Sequence, residues 1–308
     1  MYITYQARRF YMSQPTSIVL PQQIVSGNIA AAKAKTQLSM VRMILLGMFA
    51  GMFIACGASA SSLAMHAISN VGIARLVAGC VFPIGLMMIV FVGGELFTGD
   101  CLMVMSCMHG KISVLNMLKV LVVVWLSNFV GSALFAAMVN VTPQFGYSSN
   151  LLGAFTIKVA LGKVTMSFGA AFVSGILCNF FVCIAVLMAA SAKDIAGKVL
   201  AIFFPILAFV VSGYEHCVAN MYYIPAGIFA VSNEAYAKAA MEAYGYTAQQ
   251  LETLNWGNML VSNMIPVTLG NIVGGMVFVG LPLYLIHGAK IREEEAQAAA
   301  AEKFKKRA

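Results

Sequence analysis

Charge is what this sequence lacks most. Only 10% of its 308 residues are Asp, Glu, Lys or Arg, against 61% hydrophobic residues and a mean hydropathy of +0.86. That is too little charge to coat a soluble globule of this size. Of its 11 acidic residues, only Glu95, Asp100 and Glu215 fall inside apolar stretches. The seven cysteines, Cys56, Cys80, Cys101, Cys107, Cys178, Cys183 and Cys217, form no Cys-x-x-Cys pair. They read as small buried hydrophobes rather than a disulfide or metal framework, and no cofactor site is implied. Zinc-protease chemistry lacks its second histidine, because Ser212 and Asn220 stand where one would flank Glu215-His216. There is no Gly-x-Ser-x-Gly nucleophile turn. No Asn precedes a Pro, so the paired Asn-Pro-Ala of a water channel is missing too. The segment before the first long apolar run has no apolar core of its own, which argues against a cleaved signal peptide.

What is present is a series of membrane-spanning stretches. A span needs roughly 20 mostly apolar residues. Six stretches qualify: Val41–Met65, Leu76–Met108 with an interruption, Ile112–Val139, Met166–Ala192, Leu200–Val231 with an interruption, and Met259–His287. If the N-terminus is cytoplasmic, 15 of the 19 basic residues fall on the cytoplasmic side, and only Arg75, Lys158, Lys163 and Lys238 lie opposite. That is the positive-inside bias of an even number of spans with both termini inside. The formal charge of +8 is therefore topological, and a nucleic-acid partner is not indicated. The chain divides into a cytoplasmic segment 1–40, a transmembrane domain 41–288 and a charged tail 289–308. Within the first, Pro21 to Lys35 reads as a short amphipathic helix on the membrane surface, with Ile24, Ile29 and Ala31 among polar positions. Asn140–Leu161 and Ser232–Gly257 read as polar extracytoplasmic loops, and the tail as a charged helix or a disordered end.

Two of the spans are broken. Gly93-Gly94-Glu95-Leu96-Phe97-Thr98-Gly99-Asp100 cuts the second, and Ser212-Gly213-Tyr214-Glu215-His216-Cys217 cuts the fifth. Such backbone is tolerated at bilayer depth only where it is buried in protein or lines a water-filled space. Each break sits in the middle of three spans, and Asn128-Phe129-Val130-Gly131 in the third span is echoed by Asn271-Ile272-Val273-Gly274 in the sixth. Three is odd, so the halves are inverted repeats, and substrate sites in such folds lie where the broken helices meet. A charged residue at bilayer depth costs on the order of 3 kcal/mol and marks a cavity or a partner. Glu95 and Glu215 are candidates to hold the freed backbone, and His216, which titrates near neutrality, is the candidate for chemistry.

Gly94-Glu95-Leu96-Phe97-Thr98-Gly99, the run Gly175–Ala185 and Gly213-Tyr214-Glu215-His216-Cys217-Val218-Ala219-Asn220-Met221 together resemble the formate/nitrite transporter family. The resemblance extends from about Lys33 to His287 and includes Ile265–Asn271. It implies an all-α membrane protein with an aquaporin-like protomer, assembled as a homopentamer in which each protomer has its own pore. It further implies that Phe82, Leu86, Leu96, Phe97 and Phe209 are apolar constrictions, and that Thr98 and His216 mark the centre. Asn179 and Asn271 face the pore, and Lys163 makes the outer vestibule electropositive. Glu95, Glu215 and Asn220 support these groups. The expected activity is proton-coupled or channel-like passage of a small weak-acid anion (formate first, then acetate, lactate, nitrite or hydrosulfide), protonated near His216, and no enzymatic reaction. An enzyme using His216, or a membrane protein with no transport, are the rival readings that the residues alone leave open.

Overall fold

The computed structural model describes residues 18–305. Arg8, Arg9, Lys306 and Arg307, which contribute to the charge asymmetry, lie outside the described residues. Six helices are long and apolar enough to cross a membrane: Met40–Met65, Val71–Val92, Val114–Val141, Phe168–Ser191, Ile195–Ser212 and Trp256–Phe304. The second and fifth are each followed by a shorter apolar helix, Phe97–Met108 and Cys217–Val231. These are the second halves of the two broken spans. The chain is thus a helical integral membrane protein, with six spans among the described residues.

The breaks form because glycine admits a backbone that other residues resist. Gly93 ends the second span at φ 102° and Gly213 ends the fifth at φ 73°, both positions where a Cβ would be strained. Gly213 N–H closes the fifth span by donating to the carbonyls of Phe209 and Val210.

The echo between the third and sixth spans has a steric meaning. Gly131 packs so closely on Met48 of the first span that a Cβ would collide with its carbonyl, and Gly274 does the same to Ile176 of the fourth. Small residues let helix backbones approach in lipid, where apolar side chains gain nothing by leaving the bilayer. First and third spans therefore pair as fourth and sixth do.

Both stretches read as polar loops contain helices, Glu234–Tyr244 and Ala248–Glu252 lying within Ser232–Gly257. Within the stretch read as the loop Asn140–Leu161, Leu151–Val164 is a helix, and Leu152, Ala154, Phe155, Ile157, Ala160, Leu161 and Val164 are all buried. It packs against Cys217–Val231 and the helix Glu234–Tyr244, so its apolar surface is covered by protein and needs no bilayer. It precedes the fourth span as the helix Pro21–Thr36 precedes the first. The latter buries Val25 and Ile29 against Leu102, Met105 and the last helix, and Ala32 in the main core, rather than Ala31, which is exposed. Each repeat consequently comprises a pre-span helix, a span, a broken span and a third span. At the end of the chain, the helix Leu281–Lys305 runs without a break through position 289.

Candidate functional site

Two asparagines fix the two breaks in the same way. Asn128 Nδ2 donates to the carbonyls of Gly47 (2.8 Å) and Glu95 (2.9 Å), and its Oδ1 accepts from Phe97 N–H at 3.0 Å. Asn271 Nδ2 donates to the carbonyls of Gly175 (2.8 Å) and Glu215 (3.0 Å), and its Oδ1 accepts from Cys217 N–H at 2.9 Å. Backbone groups freed at bilayer depth must find partners inside the protein, and these side chains supply them. The correspondence also sets the register of the repeat: Glu95 matches Glu215, Leu96 matches His216, and Asp100 matches Asn220.

Each break is held by a lysine from the pre-span helix of its own repeat. On the outer side, the one bearing Leu151–Val164, Lys163 Nζ donates to Glu215 Oε1 at 2.8 Å. Glu215 Oε2 accepts from Asn220 Nδ2 at 2.6 Å and from Asn263 Nδ2 at 3.3 Å. On the inner side, Lys35 Nζ donates to Glu95 Oε2 at 2.5 Å and also to Asp100 Oδ1. Burial alone would lower the Lys35 ammonium, but Asp100 and Glu95 outweigh it and hold it above the ordinary lysine range.

The breaks meet at Thr98 and His216. His216 caps the helix Cys217–Val231, its Nδ1 accepting from Ala219 N–H at 3.1 Å. In the neutral ring the proton therefore sits on Nε2, which lies 2.9 Å from Thr98 Oγ1 and donates to it. The Thr98 hydroxyl hydrogen is left to point elsewhere. Phe82 and Phe209 close over this pair edge to face, centroids 5.6 Å apart, with Phe209 6.1 Å from the His216 ring.

Two cavities approach this centre. The outer one, about 670 Å³, is lined by Phe82, Phe209, His216, Lys163, Glu215 and Asn220, with Arg75 and Lys158 adding positive charge. The inner one, about 230 Å³, is lined by Leu86 and Leu96 together with Lys35 and Asp100. Phe97 and Thr98 are buried and line neither of the two. Asn179 and Asn271 are also fully buried, Asn179 Nδ2 donating to the carbonyls of Thr98 (3.2 Å) and Asn271 (2.6 Å). They stand behind the breaks and line neither cavity.

Residues 22–285 match the family described as formate/nitrite transporter. The chain belongs to the formate/nitrite transporter family. It is 36% identical to the uncharacterized transporter YrhG of Bacillus subtilis, over 89% of this chain and 96% of that protein. It is 38% identical to the formate channel FocA of Haemophilus influenzae, over 68% of this chain and 73% of that one. Among solved structures it resembles a pentameric formate channel with formate bound, with a TM-score of 0.70 and 34% identity, covering 80% of this chain and 97% of that one.

Three residues that hold the breaks in place, Asn128, Lys35 and Asn263, are not singled out by the sequence. Asn128 was visible as half of the Asn-x-x-Gly echo. Lys35 follows Ala32 by one turn on the buried face of its helix, a signal that was present but misphased. Asn263 carried no signal, because an asparagine within an apolar stretch does not reveal its partner.

Proposed function

We propose that this protein passes formate, or a weak-acid anion of similar size, across the membrane, with a proton joining the anion on the way. The observation that carries this reading is the Thr98–His216 pair, held between two cavities, with Phe82 and Phe209 lining the outer one and Leu86 and Leu96 the inner. Desolvating a bare carboxylate costs far more than desolvating the neutral acid, so an apolar constriction around a few hydrogen-bonding groups admits the acid and rejects the ion.

The outer cavity is suited to anions. Lys163 and Glu215 form an ion pair, but the lysine side chain is 14% exposed and the glutamate 4%. The glutamate's oxygens are turned toward Asn220, Asn263 and the ammonium, so the positive end of the pair faces the cavity. Moving on from that positive field toward the constriction of Phe82 and Phe209, a monocarboxylate loses water and gains proton affinity. Its proton comes from cavity water. A second proton on His216 would have to enter at Nδ1 and break the bond from Ala219 N–H, so the imidazole acts as a hydrogen-bond donor through Nε2 rather than as the proton source. Thr98 and His216 then replace part of the acid's lost hydration.

The charge asymmetry supports a cytoplasmic position for the inner face and both termini, in a plasma membrane. The pentameric relative supports assembly as a homopentamer, each protomer with its own pathway. Competition among formate, acetate, lactate, nitrite and hydrosulfide in proteoliposomes, against empty liposomes, tests the substrate class. Formate is expected to flow and to be competed by the smaller acids, and flux equal to that of empty liposomes refutes the proposal.

A further inference from the structure

The two repeats hold their breaks alike but not with the same charge. The outer cluster of Lys163, Glu215 and Asn220 is neutral, whereas the inner cluster of Lys35, Glu95 and Asp100 carries one negative charge when both carboxyls are ionised. The difference lies at a single pseudo-symmetric position, Asp100 against Asn220. The Asp100 side chain is 0% exposed, lines the inner cavity, and spends Oδ1 on Lys35 while Oδ2 has no partner among the described residues. Asn220 Oδ1 is likewise without one, but it bears no charge. One ammonium therefore serves two carboxylates, and a second buried negative charge beside the first is strongly disfavoured.

We propose that Asp100 holds a proton exchanged with the inner cavity, and that its loss holds back anions entering from the inner face. In the exchange, a hydronium in the cavity forms an O–H bond at Asp100 Oδ2 and is left as water, and the cluster passes from one negative charge to none. The titratable groups facing Asp100 are Lys35 from the pre-span helix, Glu95 within the break, the neighbouring Cys101 and Cys183 from the fourth span. The two thiols are uncharged acids that leave the balance unchanged. The outer cavity has no second carboxyl at the matching place, so the device acts on one side alone.

The proposal rests on the transport reading for its flux consequence but not for the proton itself. In proteoliposomes of known orientation, formate flux from the inner side is measured while pH is varied on that side only. A proton carried with the substrate gives at most about a tenfold fall per pH unit, and the gate adds a second titration, so the wild-type fall is expected to be steeper over part of the range. Asp100→Asn is expected to abolish the extra steepness and to raise flux at high inner pH, and Asn220→Asp to create it on the outer side. Infrared difference spectra of the whole protein are expected to show a titrating protonated-carboxyl band that Asp100→Asn loses. An unchanged pH profile in Asp100→Asn, or no such band in the wild type, overturns the proposal. If the wild type moves no formate, the transport reading fails and the infrared experiment still decides this one. Should Asp100→Asn not assemble, Glu95→Gln removes the same charge and must lose the same band.

Discussion

Replacing Asn271 with alanine removes the partner of three main-chain groups at once: the carbonyls of Gly175 and Glu215 and the N–H of Cys217, all within 3.0 Å of the side chain. Asn271 is 0% exposed, so water does not take its place. A buried polar group left unsatisfied costs about 1–3 kcal/mol. Three of them, with some relaxation of the break, give roughly 3–6 kcal/mol, a large fraction of a typical stability of about 5–15 kcal/mol. Asn128→Ala breaks the equivalent three bonds in the other repeat and should cost as much. The assay is thermal unfolding of the detergent-solubilised assembly, followed by loss of the native peak in size-exclusion chromatography. Both variants should melt on the order of 5–10 °C or more below the wild type. Asn271→Asp should be no better, since it keeps the acceptor for Cys217 but sets carboxylate oxygens against two carbonyls. If Asn271→Ala melts within about 2 °C of the wild type and only its flux changes, the residue lines the pathway and the clamp argument is wrong.

Two further outcomes follow from the same geometry. Lys163→Met strands the buried Glu215 carboxylate and should destabilise the fold by about 3–5 kcal/mol, while adding Glu215→Gln should recover much of that loss. Equal melting temperatures for the single and double variants would show the pair to be uncoupled. His216→Asn retains an acceptor for Ala219 N–H and should assemble normally, with reduced formate flux whose pH dependence is kept. A pH-independent residual flux would instead make His216 the proton source.

The spans and breaks were legible because bilayer physics writes them plainly. Long apolar runs can only be helices in lipid, and a glycine-and-acid cluster within one can only be an interruption. The repeat was legible through Asn128-Phe129-Val130-Gly131 and its echo, although the sequence alone did not reveal that the asparagine clamps the break and the glycine admits the neighbouring helix. Leu151–Val164 was misread because 14 residues are too few for a span, and the helices that cover it lie far along the chain. The Lys35 partnership failed for a similar reason. Glu95 and Asp100 lie 60 and 65 residues away, and nothing local distinguishes a lysine that pairs with them from one of the basic residues that set topology. Glu215 bonds Lys163, Asn220 and Asn263 while His216 faces Thr98, contacts on which we base the proposal that Glu215 is scaffold and His216 the functional group.

The central claim is that the acid, not the bare anion, crosses the constriction beside Thr98 and His216. It is tested most directly by formate uptake into proteoliposomes under an imposed proton gradient, with Phe209→Trp as the blocked control. The account predicts uptake that accelerates when the source side is acidified, formate accumulation driven by the proton gradient alone, and near-complete loss in Phe209→Trp with assembly intact. Wild-type uptake indifferent to pH, or driven by membrane potential alone, would contradict it.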